Sequence, residues 1–149
     1  MLKRVFLVFC TLLFLQGTAF AIDLPVTSPF GWRIHPISGT WKFHSGVDIG
    51  FEYGTPVNVL FDGVVVQAGD YDDGYGNQVL CYHPASDTYT RYGHLSEIYV
   101  NVNDPVSAGT IIGLVGSTGY STGPHLHLEY IVPDGSGNYV YADPLSLWG

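Results

Sequence analysis

A 149-residue chain with five basic against thirteen acidic residues carries a formal charge of −8, so neither nucleic acid nor an anionic membrane surface is expected as a partner. Its residues are 46% hydrophobic and only 12% charged, a composition able to bury a core, and the length suits one ordinary domain.

Lys3 and Arg4 precede the apolar run Val5 through Leu15, which has the length of a signal-peptide core and is too short to cross a bilayer as a helix. Thr18-Ala19-Phe20-Ala21 sets small residues three and one positions before a cut. Cleavage is therefore expected after Ala21, giving a signal peptide over residues 1–21 and a single exported domain over residues 22–149. Its destination would be the periplasm or the extracellular cell wall. Loss of Lys3 and Arg4 leaves three basic residues against thirteen acidic ones, a formal charge of −10. Cys10 leaves as well, so Cys81 has no disulfide partner within the chain. Lying in the strand-like run Gln78 to His83, it reads as a small apolar residue, with a reactive thiol as the sharper alternative.

Along the mature chain, short runs rich in Val, Ile, Tyr and Thr recur between Gly, Pro, Asn and Asp clusters, and no stretch sustains a helical period. The fold class expected is mainly β, a single domain of antiparallel sheets. Strands are placed at Val57 to Leu60, Gly63 to Ala68, Asn77 to His83, Thr88 to His94, Thr110 to Val115, His125 to Ile131 and Tyr139 to Tyr141. Phe61-Asp62-Gly63 fits a tight hairpin, Asp72 to Asn77 a glycine-rich loop, and Asp134 to Asn138 a late hairpin loop. The acids Asp70, Asp72 and Asp73 lack the spacing and closing glutamate of a calcium loop, so they read as a solvated turn.

Two segments concentrate histidine with a carboxylate: His44-Ser45-Gly46-Val47-Asp48 and His125-Leu126-His127. On a strand, residues two apart share a face, so His125 and His127 point the same way while Leu126 and Leu128 face the other side. One imidazole of that pair can then bind a metal while the other meets whatever the metal holds; two solvated histidines are the plainer alternative. His44 and Asp48 would stand about 13 Å apart on a straight strand, too far to share an ion, and Gly46 supplies the bend that brings them together. Two imidazoles and one carboxylate suit zinc and leave a fourth tetrahedral position open, the design of a catalytic rather than a structural site.

These segments resemble the lysostaphin-type (LytM domain) zinc metallopeptidases of bacterial cell walls. The likeness rests on Phe30-Gly31-Trp32-Arg33, His44 to Asp48, Gly74-Tyr75-Gly76-Asn77, Tyr92-Gly93-His94-Leu95-Ser96, and Gly116-Ser117-Thr118-Gly119 running into Ser121-Thr122-Gly123-Pro124-His125-Leu126-His127. It departs from the family pattern at Leu128, where an aromatic is common, and shows no appended wall-binding module. The resemblance implies antiparallel sheets with one zinc ion in an open groove, held by His44, Asp48 and His127. It also implies that His94 and His125 act on the reaction without binding the ion. Peptidoglycan, in its peptide stems or cross-bridges, is the implied substrate, and a monomer without a membrane span is expected. Related domains that have lost zinc ligands instead bind and activate a cell-wall amidase; all three ligand positions are kept here.

Glu129 shares the face of His125 and His127, where it either orients a ligand imidazole or is simply solvated. Arg33 either anchors a substrate carboxylate or pairs with one of the acids. His35 and His83 read as structural or surface histidines, and Tyr92, Tyr120 and Tyr130 as groove or core aromatics.

Overall fold

β-Branched and aromatic residues at every second position, in runs broken by Gly, Pro and Asp, are what a half-buried pleated surface selects. The computed structural model, which describes residues 23–149, builds twelve strands from them. They are β1 (Val26–Ser28), β2 (Gly31–Ile34), β3 (Trp41–His44), β4 (Val47–Ile49), β5 (Pro56–Asn58), β6 (Gly63–Gly69), β7 (Asn77–His83), β8 (Thr88–Ile98), β9 (Pro105–Val106), β10 (Ile111–Val115), β11 (Leu126–Pro133) and β12 (Tyr139–Ala142). A single 3-10 turn, Pro144–Leu147, follows, capped by the Asp143 side chain, which accepts from the Leu145 amide. The expected cleavage after Ala21 lies outside the described residues. Among them no helix is long and apolar enough to cross a membrane.

The fold is mainly β with antiparallel pairing throughout, as expected. One sheet runs β1-β4-β11-β8-β7-β6-β9, with β10 pairing both β5 and β8 and β12 pairing β11, while β2 and β3 form a separate hairpin. The core lies on one face: Val47, Ile49, Val65, Val79, Cys81, Leu95, Ile112, Val115 and Leu128 are essentially inaccessible to solvent. Burying each such aliphatic side chain is worth about 1.5–3 kcal/mol, so the central strands are held by this packing, with no disulfide among the described residues. Cys81 belongs to the core, and burial pushes its thiol up to about 12, which leaves it a packing residue and not a nucleophile. Tyr92 is core too; its hydroxyl takes hydrogen bonds from the Leu60 amide and the Thr90 hydroxyl.

Three local differences from the expected strands bear on the site. Strand β8 continues past His94 to Ile98, passing through a left-handed φ of 59° at His94 instead of ending there. Strand β11 begins at Leu126, and His125 is tied to the sheet by an isolated bridge to Gly116. Strands β1 to β4 and β9 were not foreseen, because runs of two to four residues are too short to show a readable alternation. Tertiary pairing forms them: β4 is held between β1 and β11, with Asp48 opposite His127.

Candidate active site

Register alone accounts for the first contact. Asp48 on β4 and His127 on β11 are antiparallel neighbours, and His127 Nδ1 lies 2.9 Å from Asp48 Oδ1. His44 ends β3, and the chain turns through Ser45-Gly46 into β4, so His44 Nε2 comes to 3.2 Å from the same Asp48 oxygen and 3.2 Å from His127 Nδ1. Gly46 makes that turn possible by close approach: a Cβ there would meet the Leu128 carbonyl oxygen at 2.3 Å and His127 Nε2 at 3.0 Å. One ligand atom from each of His44, Asp48 and His127 lies within 4.8 Å of the other two.

The tautomers follow from the groups behind each ring. His44 Nδ1 sits 2.8 Å from the Pro29 carbonyl, which can only accept, so Nδ1 carries the proton and Nε2 presents a lone pair. His127 Nε2 donates to Glu129 Oε1 at 3.1 Å, leaving its Nδ1 lone pair toward Asp48. In these tautomers two lone pairs and a carboxylate oxygen converge, a set that a divalent cation satisfies. A tetrahedron with arms of about 2.0–2.1 Å has edges of about 3.3–3.4 Å, close to the spacing of these three atoms. Burial opposes the charge on Asp48, yet the neighbouring His127 and His44 outweigh it and hold the carboxyl well below the usual range.

Behind His127 stands a buried network. Glu129 is fully enclosed; its Oε1 accepts from Ser45 Oγ at 2.5 Å and Tyr75 Oη at 2.5 Å as well as from His127, and its Oε2 binds Arg91 Nε at 2.9 Å. Burial alone would raise its pKa, but these partners, His127 foremost, hold it at about 2. Of the two readings of Glu129, the structure shows the one that orients an imidazole. Arg91 also lies 4.5 Å over the Tyr75 ring and donates to Gln67 and Gln78. Asp73 is used in turn by Gln78, whose Nε2 is 2.8 Å away, and by the Tyr75 amide, so this acid pins the loop that carries Tyr75. Tyr75 had no role in the sequence reading; its place in Gly74-Tyr75-Gly76-Asn77 was the available signal.

The other two imidazoles face the same spot. His125 Nδ1 donates to the Gly123 carbonyl at 2.8 Å, and its Nε2 stands 3.6 Å from Asp48 Oδ1. His94 Nδ1 donates to the Thr118 carbonyl at 2.7 Å, and its ring centre is 4.7 Å from that of His125 and 5.9 Å from that of His127. Each therefore presents an unprotonated Nε2. Burial lowers His94 to about 4, outweighing the support of Thr118, so the ring is neutral near pH 7. Gly76, at φ 63°, lets the loop press against Thr118, and the Tyr75 carbonyl accepts from the His94 amide at 2.7 Å.

These groups line an open groove of about 320 Å³, whose walls include Arg33, His35, Lys42, Tyr120 and Thr122. His35 was expected to be structural or at the surface; it stacks on Tyr120 at the groove wall, ring centres 6.0 Å apart. Tyr120 thus lines the groove, whereas Tyr130 faces a separate shallow hollow with Phe61 and His83. His83 is structural, buried between the Asp62 carbonyl and the Thr90 hydroxyl.

A sequence profile of peptidase family M23 matches residues 42–142, which contain all five residues of the cluster. The chain is 48% identical over 104 residues to the DD-carboxypeptidase/endopeptidase Mpg of Neisseria meningitidis, covering 70% of this chain and 24% of that protein. It is 46% identical over 101 residues to the peptidoglycan DD-endopeptidase ShyA of Vibrio cholerae, covering 67% and 23%. The catalytic domain of lysostaphin from Staphylococcus simulans superposes with a TM-score of 0.74 at 36% identity, covering 88% of this chain and 97% of that one. The chain spans about a quarter of the length of the curated relatives it matches. The profile match, the shared fold and the cluster of His44, Asp48 and His127 together establish that the chain belongs to peptidase family M23.

Proposed function

We propose that this chain is an exported zinc-dependent endopeptidase that hydrolyses peptide bonds in the stems or cross-bridges of bacterial peptidoglycan. The observation that carries the reading is the convergence of five side chains with divided roles. Three present ligand atoms to one point, and two further imidazoles present free Nε2 atoms beside it. An amidase-activating module would need none of this chemistry intact.

His44 Nε2, Asp48 and His127 Nδ1 would hold the ion, and zinc bound there supplies Lewis acidity toward water and the scissile carbonyl. The remaining steps fall to the protein. Hydrolysis adds water across the amide: a proton leaves the attacking water and finally reaches the departing amine nitrogen. His125 and His94, both fixed through Nδ1 by carbonyls, are built to accept that proton at Nε2 and return it. Whichever ring holds the proton also faces the developing oxyanion, so the pair shares acid–base work and charge stabilisation. Glu129, Tyr75 and Arg91 keep His127 in its ligand tautomer and exclude water from behind it.

The test is mass spectrometry of muropeptides released from purified sacculi. The account expects new peptide termini that vanish with a chelator and return with zinc; intact sacculi in the presence of zinc-loaded, folded protein would contradict it.

A further inference from the structure

Residues 23–149 contain three cations, Arg33, Lys42 and Arg91. Arg91 is neutralised by Glu129. Among the described residues Arg33 and Lys42 form no salt bridge despite thirteen acids in the chain, and residues 1–22 contain no acid. Arg33 Nε is enclosed without any hydrogen-bond partner. The β2–β3 register sets Arg33 directly opposite Lys42, so both side chains leave one face of the hairpin. Trp32, Ile34 and Trp41 leave the other and stay exposed.

Like charges directly opposite on a ladder repel, and neither has an internal carboxylate to relieve it. Both line the groove that holds the histidines. Lys42 precedes His44 by two positions on β3, so it shares the His44 face about 6–7 Å along the strand. Opposite His44 stands Gly31, which has no side chain to separate the cations from the cluster. In so acidic a chain, the two unpaired positive charges are gathered beside the reacting centre.

We propose that Arg33 and Lys42 form a carboxylate subsite that selects peptides bearing a free carboxylate within about one residue of the scissile bond. The assignment of the scissile bond rests on the hydrolase reading above. A guanidinium fork grips a carboxylate at two points, and an ammonium adds a compact charge. Two carboxylates of a stem peptide share this chemistry: its C-terminal α-carboxylate and the side-chain carboxylate of a diamino-acid residue. The interior of a glycine bridge offers neither, so the subsite favours stem-derived bonds.

Stem peptides synthesised in four forms, with each of these two carboxylates either free or as the carboxamide, separate the sources. Binding to the zinc-supplied full chain is followed by NMR shifts, and cleavage by mass spectrometry of the same samples. The wild type should favour the acid over the amide at one of the two positions by on the order of tenfold. Arg33→Gln and Lys42→Gln should each bring that ratio close to one. Lys42 is exposed, so its variant decides the matter if Arg33→Gln fails to fold. A wild-type ratio near one at both positions, or an unchanged ratio in Lys42→Gln, overturns the subsite. Discrimination without cleavage would sink the hydrolase reading and keep the subsite; cleavage without discrimination would do the reverse.

Discussion

His125 and His127 stand two residues apart and both reach Asp48 Oδ1, at 3.6 and 2.9 Å, but the groups behind them differ. His127 has a carboxylate at its back, Glu129, which fixes its tautomer and raises the basicity of the ring. His125 has a peptide carbonyl and, at 3.4 Å, the Ser121 hydroxyl, but no carboxylate. Replacing Glu129 by Gln should therefore weaken zinc binding by about 10–100-fold while the protein stays folded, as competition with a chromophoric chelator would show. Unchanged affinity would remove the positioning role. His94 offers a second prediction. Burial disfavours its imidazolium, so between about 6.5 and about 4 the unfolded chain binds a proton that the folded ring refuses. Its contribution to stability should fall as the pH drops through that window. In ¹⁵N NMR of the metal-free protein His94 should remain the neutral Nδ1–H tautomer at pH 6, and a ring half protonated there would contradict the assignment. The pairing of His125 with His127 was legible from their spacing of two, and the bridge of His125 to Gly116 carries the extended course one residue beyond β11. Tyr75 was not, since it reaches Glu129 from 54 positions away through a loop whose course depends on Asp73, Gln78 and Thr118.

At the scale of elements, the site depends on how β3 gives way to β4. A bend at Gly46 was required by the distance between His44 and Asp48, and the structure adds its reason: the turn packs against the β11 backbone. Gly46→Ala should destabilise the fold by about 1–3 kcal/mol, the range for overpacking, because the Leu128 carbonyl lies on a strand that cannot move freely. Thermal unfolding checks this, and an unchanged midpoint would show that the turn has slack. The long strands β6, β7, β8 and β11 were readable because each is a run of seven or more residues with several β-branched or aromatic ones, bounded by Gly, Pro, Asn or Asp. The β2–β3 hairpin was not, since its runs are short and its outward face carries exposed Trp32, Ile34 and Trp41, which hydrophobic patterning cannot tell from a core strand. The backbone at His94 is a similar case: a left-handed residue within a strand re-aims a side chain without leaving a mark in composition.

For the whole molecule, acidity and site location fit together: the exposed acids keep the surface negative, while the three cations among the described residues are gathered in or behind the groove. Under the proposed function, export would bring the domain to a wall substrate, and protein recovered outside the cytoplasm should begin at Ile22; Met1 retained on exported protein would rule the leader out. The central claim is the division of labour among the histidines, and zinc content measured beside sacculus hydrolysis in His44→Ala, His127→Ala, His94→Ala and His125→Ala tests it most directly. The first two should hold well under one zinc per chain and be inactive. His94→Ala and His125→Ala should keep their zinc and lose about two to four powers of ten in turnover, with the double variant hardly worse than either. Zinc lost from His125→Ala, or full zinc retained by His127→Ala, would contradict the account.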